Sequence, residues 1–152
     1  MKRLLVLSLT LLACFGLAQE DQRGGSAVVS FQDDLSTLDP AIGYDWQNWS
    51  IIKSLFDGLM DYVPGTTELV PHLAESYEVS EDGTTYTFSL REGVIFHNGR
   101  EMVADDVKYS LERVLNPSTQ SPGQGFYTNI VGAEEFIAGE AEEVAGIEVV
   151  DD

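Results

Sequence analysis

One cysteine, Cys14, stands in the whole chain of 152 residues, so no disulfide can close within it and the fold must rest on packing. Positive charge is almost as scarce. Lys and Arg number 8 against 26 Asp and Glu, a formal net charge of -18. A surface that negative repels phosphate backbones and anionic headgroups, which excludes nucleic acid as a natural partner. It reads either as a solvated acidic surface or as a field that favours cationic or zwitterionic ligands. Only two histidines occur, His72 and His97, and neither falls in the HxxxH or HExxH spacing of a zinc hydrolase. A Gly-x-Ser-x-Gly elbow and a phosphate loop are both missing. With so many carboxylates, Asp/Glu pairs carry no information about glycosidase chemistry. No metal or cofactor is expected.

A long apolar run is also lacking. The stretch 4–13, interrupted by Ser8 and Thr10, is too short for a bilayer span of about 20 residues. Preceded by Lys2 and Arg3 and followed by Gly16, Leu17 and Ala18, it has the layout of a secretory signal peptide over residues 1–18. Leu11-Leu12-Ala13-Cys14 offers a second reading, a lipoprotein box with Cys14 as the lipidation site. Both readings place the protein outside the cytoplasm, periplasmic or otherwise extracytoplasmic. The membrane is then met only through that lipid anchor or through a partner in the membrane. Residues 19–26 are polar and Gly-containing, a flexible lead-in to a domain over 27–152.

Hydrophobic residues make up 43% of the chain, enough for a packed core. Residues 27–31 predict a first strand. Residues 45–59 predict a helix, because Trp46, Trp49, Ile52 and Phe56 recur at spacings of three and four behind an Asp45 N-cap. Those aromatics are expected in the core, with Gly58 ending the helix. Strands follow at 59–63 and 69–73 around Pro64-Gly65, and at 76–79 and 85–90 around Asp82-Gly83, a hairpin signature. A short strand at 94–96 ends on His97-Asn98-Gly99. The next helix begins near Ala104 with Val107, Leu111, Val114 and Leu115 on one face, and Asn116-Pro117 stops it. After the Pro-, Gly- and Ser-rich stretch 118–125, a helix over 132–138 and a strand over 146–150 are expected. The whole is an α/β pattern with a β-rich part at 60–96.

Several segments, in order, carry a resemblance. Thr37-Leu38-Asp39-Pro40, Phe56-Asp57-Gly58-Leu59 and residues 69–77 (LVPHLAESY) come first, then AESYEVSEDGTTYTFSLREGVIFHNG over 74–99, then Ala104-Asp105-Asp106-Val107 and Glu112-Arg113. Together they resemble the family 5 extracellular solute-binding proteins, which include dipeptide- and oligopeptide-binding proteins. Val103 departs from the pattern, standing where the family has a hydroxyl N-cap. The resemblance implies a type II periplasmic-binding-protein fold, of which this chain would supply a truncated first lobe. It implies capture of a peptide or other small solute for the permease of an ABC importer, with no catalysis. Nickel chelates, opines or oligosaccharides are alternative ligands on such a scaffold. A truncated product without transport activity and an exported hydrolase of unfamiliar type are further alternatives.

The same resemblance puts the loop Asp33-Asp34-Leu35-Ser36 where relatives approach their ligand. Asp34 would meet a peptide amino group and Leu35 would offer backbone pairing; a solvated turn is the competing reading. Phe126 and Tyr127 are further cleft candidates. The block 74–99 reads as structural, with Arg91 paired to carboxylates and Phe88, Ile95 and Phe96 filling a core.

Overall fold

The computed structural model describes residues 25–26 and 28–151. The candidate signal segment, Cys14 and most of the lead-in lie outside the described residues. Two compact units divide at Ser30/Phe31. Of the first, Gly25, Ser26 and residues 28–30 are described, all exposed and without regular structure. The expected strand at 27–31 is therefore not formed over 28–31. Val28 is 94% exposed, and a strand without a pairing partner has nothing to hold it extended.

The second unit opens with helix α1, Trp46–Leu55. Asp45 caps it as expected, its carboxylate accepting from the Asn48 backbone N–H. The helix stops short of the expected 59, because Phe56 turns extended. Residues 58 and 59 are needed elsewhere: the carbonyl of Gly58 accepts from Leu73 N–H, and that of Leu59 from His72 and Ala74. Here begin two antiparallel hairpins. Strand β1, Met60–Tyr62, pairs with β2, Leu69–Pro71. Strand β3, Ala74–Val79, pairs with β4, Tyr86–Leu90, with a bulge between Ala74 and Ser76. Leu73 joins the hairpins, donating to Gly58 and accepting from the Arg91 N–H. Gly83, at φ +72, turns the second hairpin, while Asp82 accepts from Ser80 and Thr84.

Periodicity located these strands, but not their burial. Phe88 is half-buried, and Ile95 and Phe96 are exposed, so the expected core at these positions is absent. Phe88 stacks across the hairpin on Tyr77 instead, and Phe96 lies under the Arg100 guanidinium. The expected strand 94–96 shrinks to one bridge, Ile95 to Glu101. Arg91 turns its Nε to the His72 carbonyl at 2.6 Å rather than to a carboxylate.

Helix α2, Ala104–Leu115, starts and stops where the sequence places it. Val103 has no side-chain acceptor, but Asp106 reaches back to the Val103 N–H at 2.9 Å, so half of a reciprocal cap is made. Arg100 grips the same carboxylate and holds Asp106 below its ordinary pKa. Past Asn116, two short 3₁₀ turns, Pro117–Thr119 and Gln124–Phe126, lead to helix α3, Ala133–Ala138. Leu115, Ala133 and Val144 form a buried apolar cluster, with Ile130, Phe136, Ile137 and Ile147 around it. Residues 146–150 do not form the expected strand: Gly146 donates to the Val131 carbonyl at 2.8 Å, but no ladder continues from it among the described residues.

Candidate functional site

Two turns that flank helices build the site. The first follows Asp39-Pro40. Asp39 Oδ1 accepts from the Ala41 N–H, and its carbonyl accepts from Ile42 and Gly43, which tightens the chain and delivers Tyr44 to the start of α1. The second is the Gln124–Phe126 turn. Gln124 Nε2 donates to the Leu115 carbonyl at 2.8 Å, so this turn is fastened to the end of α2. An ion pair joins the two. Arg113, on α2, places both terminal nitrogens on the Asp39 carboxylate, with Nη1 to Oδ1 at 2.7 Å. That guanidinium holds the Asp39 carboxyl below its ordinary pKa.

Between the turns lies a half-open depression of about 280 Å³. Tyr44 meets Trp49 edge-on at 5.2 Å between ring centroids, and Phe126 stacks on Tyr44 at 6.1 Å. Tyr127, Pro40 and Val114 line it as well, and none of the twelve described residues that line it is charged. In a chain with 34 charged side chains (8 plus 26), that is a local departure from composition.

The structure thus brings Phe126 and Tyr127 together with Tyr44 and Trp49. Asp34 and Leu35 do not line this depression. Their loop is held to the beginning of α1 by Asn48, a side chain 1% exposed. Asn48 Oδ1 accepts from the Ser36 N–H, and its amide donates to Ser36 Oγ and Asp45 Oδ2. Gln47 adds a bond to Asp33. Sequence reasoning missed Asn48 and took Trp49 for core. Trp49 is 40% exposed and the neighbouring Trp46 83% exposed, which corrects that expectation. The available signal was position: Asp45, Asn48 and Ile52 share one helical face, so a polar residue there had to find partners.

What the arrangement can do is bind. Among the described residues no group of three His, Cys, Asp or Glu stands together to hold a metal. His72 and His97 lie apart from the depression. Open aromatic faces and an uncharged lining suit apolar groups and flat amides.

The family model for bacterial extracellular solute-binding proteins, family 5 Middle, matches residues 68–152. The chain is 37% identical over 107 residues to the glutathione-binding protein GsiB of Escherichia coli (strain K12), covering 70% of this chain and 21% of that protein. It is 43% identical over 94 residues to the dipeptide-binding protein of the same strain, covering 55% and 18%. Among solved structures, a periplasmic oligopeptide-binding protein from Borrelia burgdorferi superposes with a TM-score of 0.70 at 33% identity, covering 76% of this chain and 23% of that one. The chain spans about a fifth of the length of these relatives.

Proposed function

The chain belongs to the bacterial extracellular solute-binding proteins of family 5, and we propose that it takes part in capturing peptides outside the cytoplasm for delivery to an ABC importer. The fold is a portion of the α/β type II periplasmic-binding-protein fold, here with the β-rich part over residues 60–96. The observation that supports a peptide is the uncharged aromatic depression. It can accept side chains, and in this reading the exposed loop at Asp34 and Leu35, held to the start of α1 through Asn48, offers a carboxylate for a peptide's amino end. Phe126 and Tyr127 stack against the ligand in this reading. The protein catalyses nothing; its partners are the peptide and the permease of the importer. A signal peptide over residues 1–18, with Cys14 as the alternative lipidation site, brings it there.

A surface that covers a ligand on one side leaves the other side in water, so the 152-residue chain alone binds peptides weakly. Titration calorimetry against pooled dipeptides and oligopeptides tests the reading, on this chain and on any longer product of its gene. Saturable heat from the peptide pool is expected, stronger for the longer product. Silence toward peptides from both, with heat from a chelate, opine or glycan, would replace peptide with that ligand.

A further inference from the structure

The depression between Tyr44, Trp49, Phe126 and Tyr127 has a shape and a chemistry of its own. We infer that it is a side-chain subsite selective for aromatic and aliphatic groups, and that it rejects acidic ones. The inference rests on the peptide reading above and deepens it.

Three observations converge. The volume of about 280 Å³ admits one large side chain and not a folded peptide. The walls are aromatic rings, aliphatic groups, backbone and the Ser121 side chain, with no charged side chain among the described residues that line it, so a carboxylate entering would lose water without gaining a counter-charge. The rings are arranged to leave faces free. Tyr44 meets Trp49 at 76° and lies 25° from Phe126, whose side chain is 67% exposed. An incoming ring completes an aromatic cluster that the fold holds open. The charge of the chain strengthens the discrimination, because 26 carboxylates outside the depression repel an anionic ligand before it arrives.

Gly123 keeps the space clear. Its φ of -86° is ordinary for any residue, and the nearest atoms to a Cβ there, on Ser121, Phe126 and Val114, stand at 3.5 to 4.0 Å, ordinary contact distance. A larger side chain at this position grows toward the depression without straining the backbone.

The two tryptophans of the chain supply the readout. Trp46→Phe removes the exposed one and leaves Trp49, in the wall, as the reporter. Titrating this variant with N-acetyl amides of phenylalanine, leucine, glycine and glutamate follows Trp49 emission. Phenylalanine and leucine amides should give saturable shifts, with affinities at least about tenfold above those of glycine and glutamate, as burial of an apolar side chain requires. Gly123→Leu and, separately, Phe126→Ala should each lower phenylalanine-amide affinity at least about fivefold. Equal responses to all four amides, no saturable response, or affinities untouched by both substitutions would overturn the subsite. A failed subsite with peptide heats intact would leave the peptide reading standing. Saturable amide binding with calorimetric silence toward peptides would instead sink that reading and keep the subsite.

Discussion

Asp39 and Arg113 lie 74 residues apart and meet side chain to side chain, with both carboxylate oxygens on both terminal guanidinium nitrogens. The pair clamps the turn that delivers Tyr44 onto α2, to whose end the Gln124–Phe126 turn is fastened. Each partner is partly exposed, at 26% for Asp39 and 34% for Arg113, so solvent weakens the attraction that the geometry favours.

Arg113→Ala should therefore cost about 1 kcal/mol in urea denaturation, less at high salt. Asp39→Asn should cost a similar amount, since it keeps an acceptor for the Ala41 N–H. Because Arg113 holds the Asp39 pKa down, the stabilisation is complete above about pH 4 and is lost as pH falls through the lower, folded value. The gap between wild type and Asp39→Asn should close on acidification below about pH 4. A gap that stays constant would show that the charge is not what stabilises.

Asn48→Ala strands the Ser36 N–H and hydroxyl and one oxygen of Asp45. A loss of about 1 kcal/mol is expected, because three hydrogen bonds go while Ser36 and Asp45 remain open to water. Limited proteolysis should also find residues 33–36 cut faster than in the parent chain. Unchanged cutting would mean that the loop is held by something else.

Gly83 and Gly132 have nearly the same backbone, φ +72 and φ +80, and opposite surroundings. A Cβ on Gly83 meets nothing within 4 Å, whereas on Gly132 it would stand 2.7 Å from the backbone nitrogen of Ala145. Gly83→Ala should cost about 1 kcal/mol, the left-handed strain alone. Gly132→Ala should cost visibly more, about 3 kcal/mol or above, because backbone must shift beside buried Ala133. Thermal melts of the two variants give the comparison directly; equal losses would refute it.

Glu112 accepts from the N–H of Val144, a residue 1% exposed, and lies 3.9 Å from Lys108, which also binds Glu143. Glu112→Ala should destabilise by about 1–3 kcal/mol, because the Val144 N–H loses its partner in a closed environment. Glu143→Ala, on the exposed side of the same lysine, should cost clearly less, because solvent screens that pair. The reverse order would place the stabilisation in the ion pair instead.

The elements that the sequence disclosed are those whose cause is local. Asp45 before an apolar-periodic run, Asp82-Gly83 between alternating residues, and Asn116-Pro117 after Leu115 each act over a few positions, and each marks a real boundary. What stayed hidden depends on distant partners. The alternation around Phe88 says which face would be buried if something packed there, and is silent on whether anything does. Residues 28–31 and 146–150 have strand-like composition without a ladder to join. Phe126 and Tyr127, expected from the resemblance as cleft candidates, line the depression together with Tyr44, which the sequence did not single out. Asp39 and Arg113 both stood in recognised motifs, yet nothing local tells one that the other is its partner.

The buried cluster of Leu115, Ala133 and Val144 has a consequence for the order of events in folding. Glu112 and Val144, which close it, are 32 residues apart, against 74 for Asp39 and Arg113. Closing the longer loop costs about 0.7 kcal/mol more chain entropy, and its reward is a solvent-screened contact rather than a core. By this measure the helical pack is expected to assemble first and the Asp39 turn to be latched onto it afterwards. On unfolding the reverse order is expected: amide exchange should be faster around Tyr44 than at Leu115, and faster still once Arg113→Ala removes the latch.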